Sequence, residues 1–256
     1  MQKIYVVKIG GEIVDLPDRL DEFLVKFARI TEPKILVHGG GRQVSDLAKR
    51  LDIPVKISDG RRITDKETLR LVAMIYAGLI NKTVVAKLQG LNCSAVGLSG
   101  ADGQSIIAEK RSGSEIDYGY AGDIRSINAK FLKLLIENDQ VPVLCSLTAD
   151  TAGQLLNTNA DTIATETAIA MKEHFKPVLH FLTDQPGFME NMEDETSVIH
   201  TIDRLTYERV KAEGSVAGGM LPKMDNAFRA VEKGVEAVYI SDFSKFPDFA
   251  SGTRLV

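Results

Sequence analysis

Short apolar runs alternate with helix-length patterns along the whole chain, and this alternation restricts the fold more than any other feature of the sequence. The runs are Tyr5–Ile9, Ile35–His38, Ala95–Leu98, Val141–Leu144, Val178–Leu182 and Ala237–Ile240. Several are apolar on both faces, which suits strands buried between two helix layers. Between them lie helical patterns at Asp18–Ile30, Gln43–Leu51, Asp65–Leu91, Ala129–Asn138, Asp161–Glu173 and Lys223–Lys233. The order predicts an α/β protein whose sheet is mostly parallel and covered on both sides.

Local signals agree with these bounds. Thr64-Asp65-Lys66-Glu67 reads as a capping box that opens the long helix. Asn159 is placed to cap the helix that Asp161 enters. Pro222 suits a first helical turn and Gly234 a helix stop. The acidic stretch Glu190–Glu195 reads as a surface excursion. At 256 residues the chain has room for one large domain or two lobes sharing a core. A soft boundary near Met171–Pro177 divides a single domain, 1–256, into lobes of about 1–172 and about 173–256.

Composition excludes several classes. The net charge is -4, no basic patch dominates and there is no Trp, so nucleic acid is not an expected partner. No stretch is expected to span a membrane, and the first run starts without a charged and apolar leader, so a cytoplasmic protein is expected. Cys93 and Cys145 sit in apolar, strand-like contexts and read as buried free thiols. The histidines at 38, 174, 180 and 200 lack zinc spacing, and no protein-held metal site is expected.

Five segments could carry chemistry. Lys8-Ile9-Gly10-Gly11 ends the first strand with a cation and two glycines whose N–H groups are open to an anion. His38-Gly39-Gly40-Gly41 joins a strand to a helix, where free N–H groups meet the positive helix end. His38 itself reads as a packed strand-end residue. Asp59-Gly60-Arg61-Arg62-Ile63-Thr64 offers two arginines, either a bidentate carboxylate ligand or solvated charge. Asn157-Thr158-Asn159-Ala160-Asp161 opens a helix, and capping explains Asn159 better than Asn157 or Asp161. Gly218-Gly219-Met220-Leu221-Pro222-Lys223 places a lysine in a first helical turn, which is unfavourable without an anionic partner. The P-loop, dinucleotide and nucleophile-elbow motifs are absent.

Taken together these motifs resemble the amino acid kinase family. The resemblance covers nearly the whole chain in order: Lys8–Gly11, Val37–Gly41, Gly60–Thr64, Val96–Gly100, Asn157–Asp161, Leu182–Asp184 and Gly219–Lys223. It is closest to members that phosphorylate the side-chain carboxylate of an N-acylated glutamate. The resemblance implies an open, three-layer αβα sandwich, with acylglutamate bound by the N-terminal part and ATP, with Mg²⁺, by the C-terminal part. Lys8 and Lys223 would contact the phosphoryl group in flight, and Asp161 would hold the two lysines. Gly39, Gly40, Arg62 and Asn157 would serve the acylglutamate. Gly10, Gly11, Thr183 and Asp184 would serve ATP. A homodimer that arginine does not inhibit is expected.

Two departures bear on the expectation. Gln185 follows Leu182-Thr183-Asp184 where a small apolar residue is usual in the family. Gly113–Ile124, rich in Gly and Tyr, falls where acyl-binding surroundings are expected and matches no motif. The acyl group therefore stands between acetyl, the family default, and a bulkier one such as succinyl. Two alternatives remain beside this reading: a sibling kinase acting on aspartate, glutamate, carbamate or UMP, and a non-catalytic sensor that keeps the fold.

Overall fold

The computed structural model describes residues 1–58, 61–113, 115–191, 194–212, 220–248 and 251–256. Asp59, Gly60, Gly218 and Gly219 of the motifs above lie outside them.

Strand β1 (Lys3–Ile9) leads through Gly10 into a one-turn helix α1 (Gly11–Val14) and α2 (Pro17–Ala28). β2 (Lys34–His38), wholly buried, leads through Gly39 and Gly40 into α3 (Gly41–Arg50). A hairpin of β3 (Lys56–Ser58) and β4 (Arg61–Ile63) precedes the long helix. That helix is built from α4 (Lys66–Val72), a π-helical stretch (Ala73–Ile80) and α5 (Asn81–Gly90). Then come β5 (Ala95–Leu98), β6 (Ile106–Lys110), β7 (Gly122–Ile127), α6 (Ala129–Glu137), β8 (Val141–Cys145), β9 (Leu147–Ala149), β10 (Leu155–Asn157) and α7 (Ala160–Met171). The last part holds β11 (Lys176–Thr183), β12 (Thr201–Ile202), α8 (Arg204–Ala212), α9 (Met220–Glu232), β13 (Ala237–Asp242) and β14 (Thr253–Leu255).

The main sheet has the order β12-β14-β13-β11-β1-β2-β8-β5. Its neighbours pair in parallel except β13 with β14. The period-two alternation of each strand feeds two cores. Ile4, Val6, Val37 and Phe181 pack on the side of α7 and α9, and Val7, Ile9, Leu36 and Leu182 on the side of α2 and α5. This is the three-layer αβα arrangement expected from the sequence. The chain leaves β1 for β2 on one side and returns to pair β11 on the other. Such a switch point opens a crevice at the carboxyl ends of the strands, here at Gly10 and Gly39. The sheet runs unbroken across the proposed lobe boundary, with Lys3–Lys8 of β1 in register with Lys176–Phe181.

Several local expectations are corrected. Asp65, not Thr64, caps the long helix, its Oδ1 accepting from Thr68 N–H. Thr64 is turned inward and its hydroxyl donates to Arg62 O. Cys93 lies in the turn before β5, although it is buried, as is Cys145 at the end of β8. The helix Lys66–Gly90 is long and apolar enough to cross a membrane by length and composition, with a mean hydropathy of 1.5. Its buried side, including Leu69, Val72, Ile75, Ile80, Val84 and Leu88, packs in the second core, which identifies it as a core helix. Of the acidic excursion, Glu190, Asn191 and Asp194 are exposed, as expected. A second sheet, β10-β9-β6-β7, was not expected. Its strand β7 takes up the end of the unassigned segment, Gly122–Ile124, and isolated bridges from Gly119 to Thr64 and from Ala121 to Asn157 tie the part before it to the mouth of the crevice.

Candidate active site

Lys8 is the next-to-last residue of β1, on the face covered by α7. Asp161 lies in the first turn of α7 and Lys223 in the first turn of α9. Asn159 fixes the start of α7 by accepting from the N–H groups of Asp161 and Thr162. The three charged groups meet at one point. Lys8 Nζ is 2.9 Å from Asp161 Oδ1, and Lys223 Nζ is 3.3 Å from Oδ1 and 3.4 Å from Oδ2. All three residues are buried, and Lys223 Nζ also lies 5.4 Å from the Phe181 ring centre, a cation–π contact. Asp161 is the anionic partner that a lysine at a helix start requires.

Burial opposes charge on each member. At Asp161 the attraction of Lys223 and Lys8 wins, and the carboxyl is pushed down to about 2. Lys8 is raised despite burial, by Asp161 and then Glu12. Lys223 is lowered, first by burial and, against the pull of Asp161, by Lys8, because one carboxylate serves two ammonium groups. Fully ionised, the trio carries one net positive charge, which suits it to an anion.

A cleft of about 440 Å³ opens in front of Lys8. Gly10, Gly11, Gly39, Gly40 and Gly41 form its floor at the ends of β1 and β2. Gly40 is the N-cap of α3 and among the described residues no side chain caps that helix, so its first N–H groups face the cleft at the positive helix end. Gly40 has φ 148°, and a Cβ there would lie 2.1 Å from Ile80 Cδ1, so a side chain at this position is strained. Gly39 departs from expectation. Its N–H donates to Ile9 O at 3.3 Å, which extends the β1–β2 ladder and leaves Gly39 a wall and not a donor.

Arg62 reaches the cleft from β4. Its Nη2 donates to Gly41 O and Ser45 Oγ, both at 2.8 Å, while Nη1 is buried without a partner among the described residues. An unmet guanidinium nitrogen beside a cleft is a carboxylate site in waiting. Asn157, the last residue of β10, also lines the cleft, and its Nδ2 donates to Thr64 Oγ1. Among the described residues the lining holds five cations, Lys8, Arg42, Arg61, Arg62 and Arg111, against one carboxylate, Glu12. The sequence reading missed Glu12, Arg42, Ser45, Tyr76 and Arg111. Tyr76 is hidden in an apolar run, and the others become neighbours only in the fold.

The family model described as the amino acid kinase family matches residues 3–242. The chain belongs to the amino acid kinase family. An acetylglutamate kinase of Parabacteroides distasonis is 45% identical over 255 residues, covering all of both chains. One of Cytophaga hutchinsonii is 44% identical over 262 residues, covering 100% of this chain and 99% of its own. Among solved structures, that of the Streptococcus mutans protein smu.665 superposes with a TM-score of 0.82 at 27% identity, covering 99% of this chain and 98% of that one.

Two residues expected at the nucleotide of an amino acid kinase lie apart from the cleft. Thr183 and Asp184 stand at the carboxyl end of β11, outside the cleft lining. Thr183 is buried, and its hydroxyl donates to Gln185 O and accepts from Gln185 N–H, both at 3.0 Å. Gln185 therefore joins the strand end through its backbone, which leaves the side chain unconstrained by that turn.

Proposed function

We propose that the protein transfers the γ-phosphoryl group of ATP to the side-chain carboxylate of an N-acyl-L-glutamate, giving an acyl phosphate and ADP, as an acetylglutamate kinase of arginine biosynthesis. The observation that carries the reading is the shared Asp161 carboxylate between Lys8 and Lys223, set at the edge of a cleft rich in cations and in free backbone N–H groups. Full-length identity to acetylglutamate kinases supports it.

The chemistry follows from charge. A carboxylate must approach a polyphosphate, and two unit charges about 4 Å apart repel by roughly 4 kcal/mol at a surface-like dielectric. Lys8 cancels this between the two substrates, Lys223 from the nucleotide side, and Asp161 keeps both in place before either substrate arrives. Gly10, Gly11 and Gly40 direct N–H groups at the phosphoryl oxygens, where charge spreads in the transition state. Arg62 takes the α-carboxylate through Nη1, with Asn157 beside it. No general base is needed, since the attacking carboxylate is already ionised. Among the described residues no three His, Cys, Asp or Glu side chains converge. Asp161 is already engaged by two lysines, so the donor set fits Mg²⁺ carried on the ATP phosphates with its own waters. The ion would supply charge neutralisation there. Residues of about 173–256, with Thr183 and Asp184, complete the nucleotide site, and about 1–172 hold the acylglutamate. The enzyme acts in the cytoplasm as a homodimer, for which Met74 and Leu79, exposed on the long helix, offer apolar surface.

ADP release measured side by side with N-acetylglutamate, N-succinylglutamate, glutamate, aspartate, carbamate and UMP tests the reading. Turnover should require an N-acyl group, because free glutamate adds a positive charge and leaves the acyl subsite empty. The ratio of the first two substrates fixes the acyl group. Comparable kcat/KM for free and acylated glutamate would refute the assignment, and no ATP turnover with any acceptor would leave the sensor reading.

A further inference from the structure

His38 is fully buried at the end of β2, behind the glycine floor. The phosphoryl-transfer scheme above gives it no task, yet its hydrogen bonds are determined. Asn81, the first residue of α5, places Nδ2 2.9 Å from Val143 O and 3.1 Å from His38 Nε2. Val143 O accepts only, so this Asn81 atom is the amide nitrogen. Lys82 Nζ, 3.2 Å from Asn81 Oδ1, agrees with that orientation. Nδ2 is therefore the donor to His38 Nε2, and Nε2 must present its lone pair. The ring proton sits on Nδ1, which lies 3.0 Å from Gly39 O and donates to it. Ser146 Oγ donates to His38 O and fixes the backbone beneath the ring.

The consequence lies in the next peptide unit. The Gly39–Gly40 peptide is trans, so Gly39 O and Gly40 N–H point in opposite directions. With the carbonyl held toward the buried ring, the N–H faces the cleft, and among the described residues nothing accepts from it. Gly40 at φ 148° has the freedom to rotate this peptide, so its orientation needs an external hold. We propose that His38, set in its Nδ1–H tautomer by Asn81, is a positioning residue that aims the Gly40 N–H at the reacting oxygens. The inference rests on the kinase reading for its kinetic effect, but not for the tautomer. Burial keeps the ring neutral at working pH, its pKa pushed down to about 4, so the donor does not switch on and off during turnover.

The test pairs a spectrum with kinetics. Nitrogen-15 NMR of the ligand-free protein at pH 7 should show one histidine, assigned by its loss in His38→Asn, with the proton on Nδ1 and an unprotonated Nε2. An asparagine amide can replace the Nδ1–H donor, whereas a glutamine amide reaches the Nε2 position instead. His38→Asn should keep kcat within about threefold, while His38→Gln should lower it about 100-fold with little change in either KM, as for loss of one aimed donor. A proton on Nε2, or a charged ring, overturns the proposal. So does a folded His38→Gln enzyme with near-normal kcat, or equal loss in both variants. If His38→Gln does not fold, the tautomer and the activity of His38→Asn still decide. If the wild-type protein transfers no phosphoryl group, the kinase reading fails while the tautomer result stands.

Discussion

Replacing Asp161 by Asn removes one charge and little volume, and the trio allows the result to be worked out. The Asp161 carboxyl is held at about 2 against an ordinary 3.8, worth about 2.5 kcal/mol of favourable interaction at a fully buried site. Without it, Lys8 and Lys223, each bonded to the same oxygen at 2.9 and 3.3 Å, face each other uncompensated. Two like charges about 6 Å apart repel by roughly 3 kcal/mol at an effective dielectric of 20. The variant should therefore lose about 3–5 kcal/mol of stability in urea unfolding, the usual cost of breaking a buried ion pair from one side. Its kcat should fall about 10²–10³-fold, because the two lysines no longer hold their positions for the phosphoryl group. Adding Lys223→Met should restore at least half of the stability, since it removes the surplus charge, while kcat stays low. Stability is thus recovered across the pair while catalysis is not. The wild-type contribution should be full above pH 3.8 and fade as pH falls toward 2, because the folded-state value is the depressed one. A folded Asp161→Asn enzyme with unchanged stability and near-normal kcat would refute the reasoning.

Three further outcomes are expected. Arg62→Ala should raise KM for the acylglutamate by about 10–100-fold and leave kcat nearly unchanged, as for loss of a charged hydrogen bond made equally in ground and transition states; a kcat effect with unaltered KM would contradict this. Gly40→Ala should cost about 1–3 kcal/mol, because φ 148° and the contact with Ile80 both oppose a Cβ; an unchanged melting temperature would show that the loop is not so constrained. His38 and His180 have folded values of about 4 and about 3 against 6.5 unfolded, so stability is full above pH 6.5 and falls by about 1.4 kcal/mol per pH unit for each as pH drops toward those values. Replacing His180 by Gln should remove about half of that slope in urea unfolding between pH 6.5 and 5, and a flat wild-type profile there would refute the assignment.

The strand and helix order was legible because both faces of the central strands are apolar and the glycine junctions mark their ends. Lys223 was legible as a charge in search of a partner, since its position at a helix start is unfavourable alone. Gly39 was misread as a donor, because only the register of β1 with β2 shows that Ile9 O takes its N–H. The β6–β7 pairing was invisible, its strands being short, half-exposed and mixed in polarity. Ser45 looks like an ordinary helix-surface serine until Arg62 docks on it. The Nη1 edge of Arg62, the tautomer of His38 and the isolation of Thr183 from the cleft are all set by contacts distant in sequence.

The ion trio also has a temporal meaning. Asp161 joins a group on the first strand to one 62 residues further along the chain than itself. No piece of the polypeptide shorter than Lys8–Lys223 contains all three. A growing chain on the ribosome can form β1, β2 and their glycine floor early, but it cannot neutralise Asp161 from both sides until Lys223 has emerged. Phosphoryl transfer is thereby withheld from any product of translation that ends before Lys223, and recovery of activity during refolding requires α9 to dock on α7.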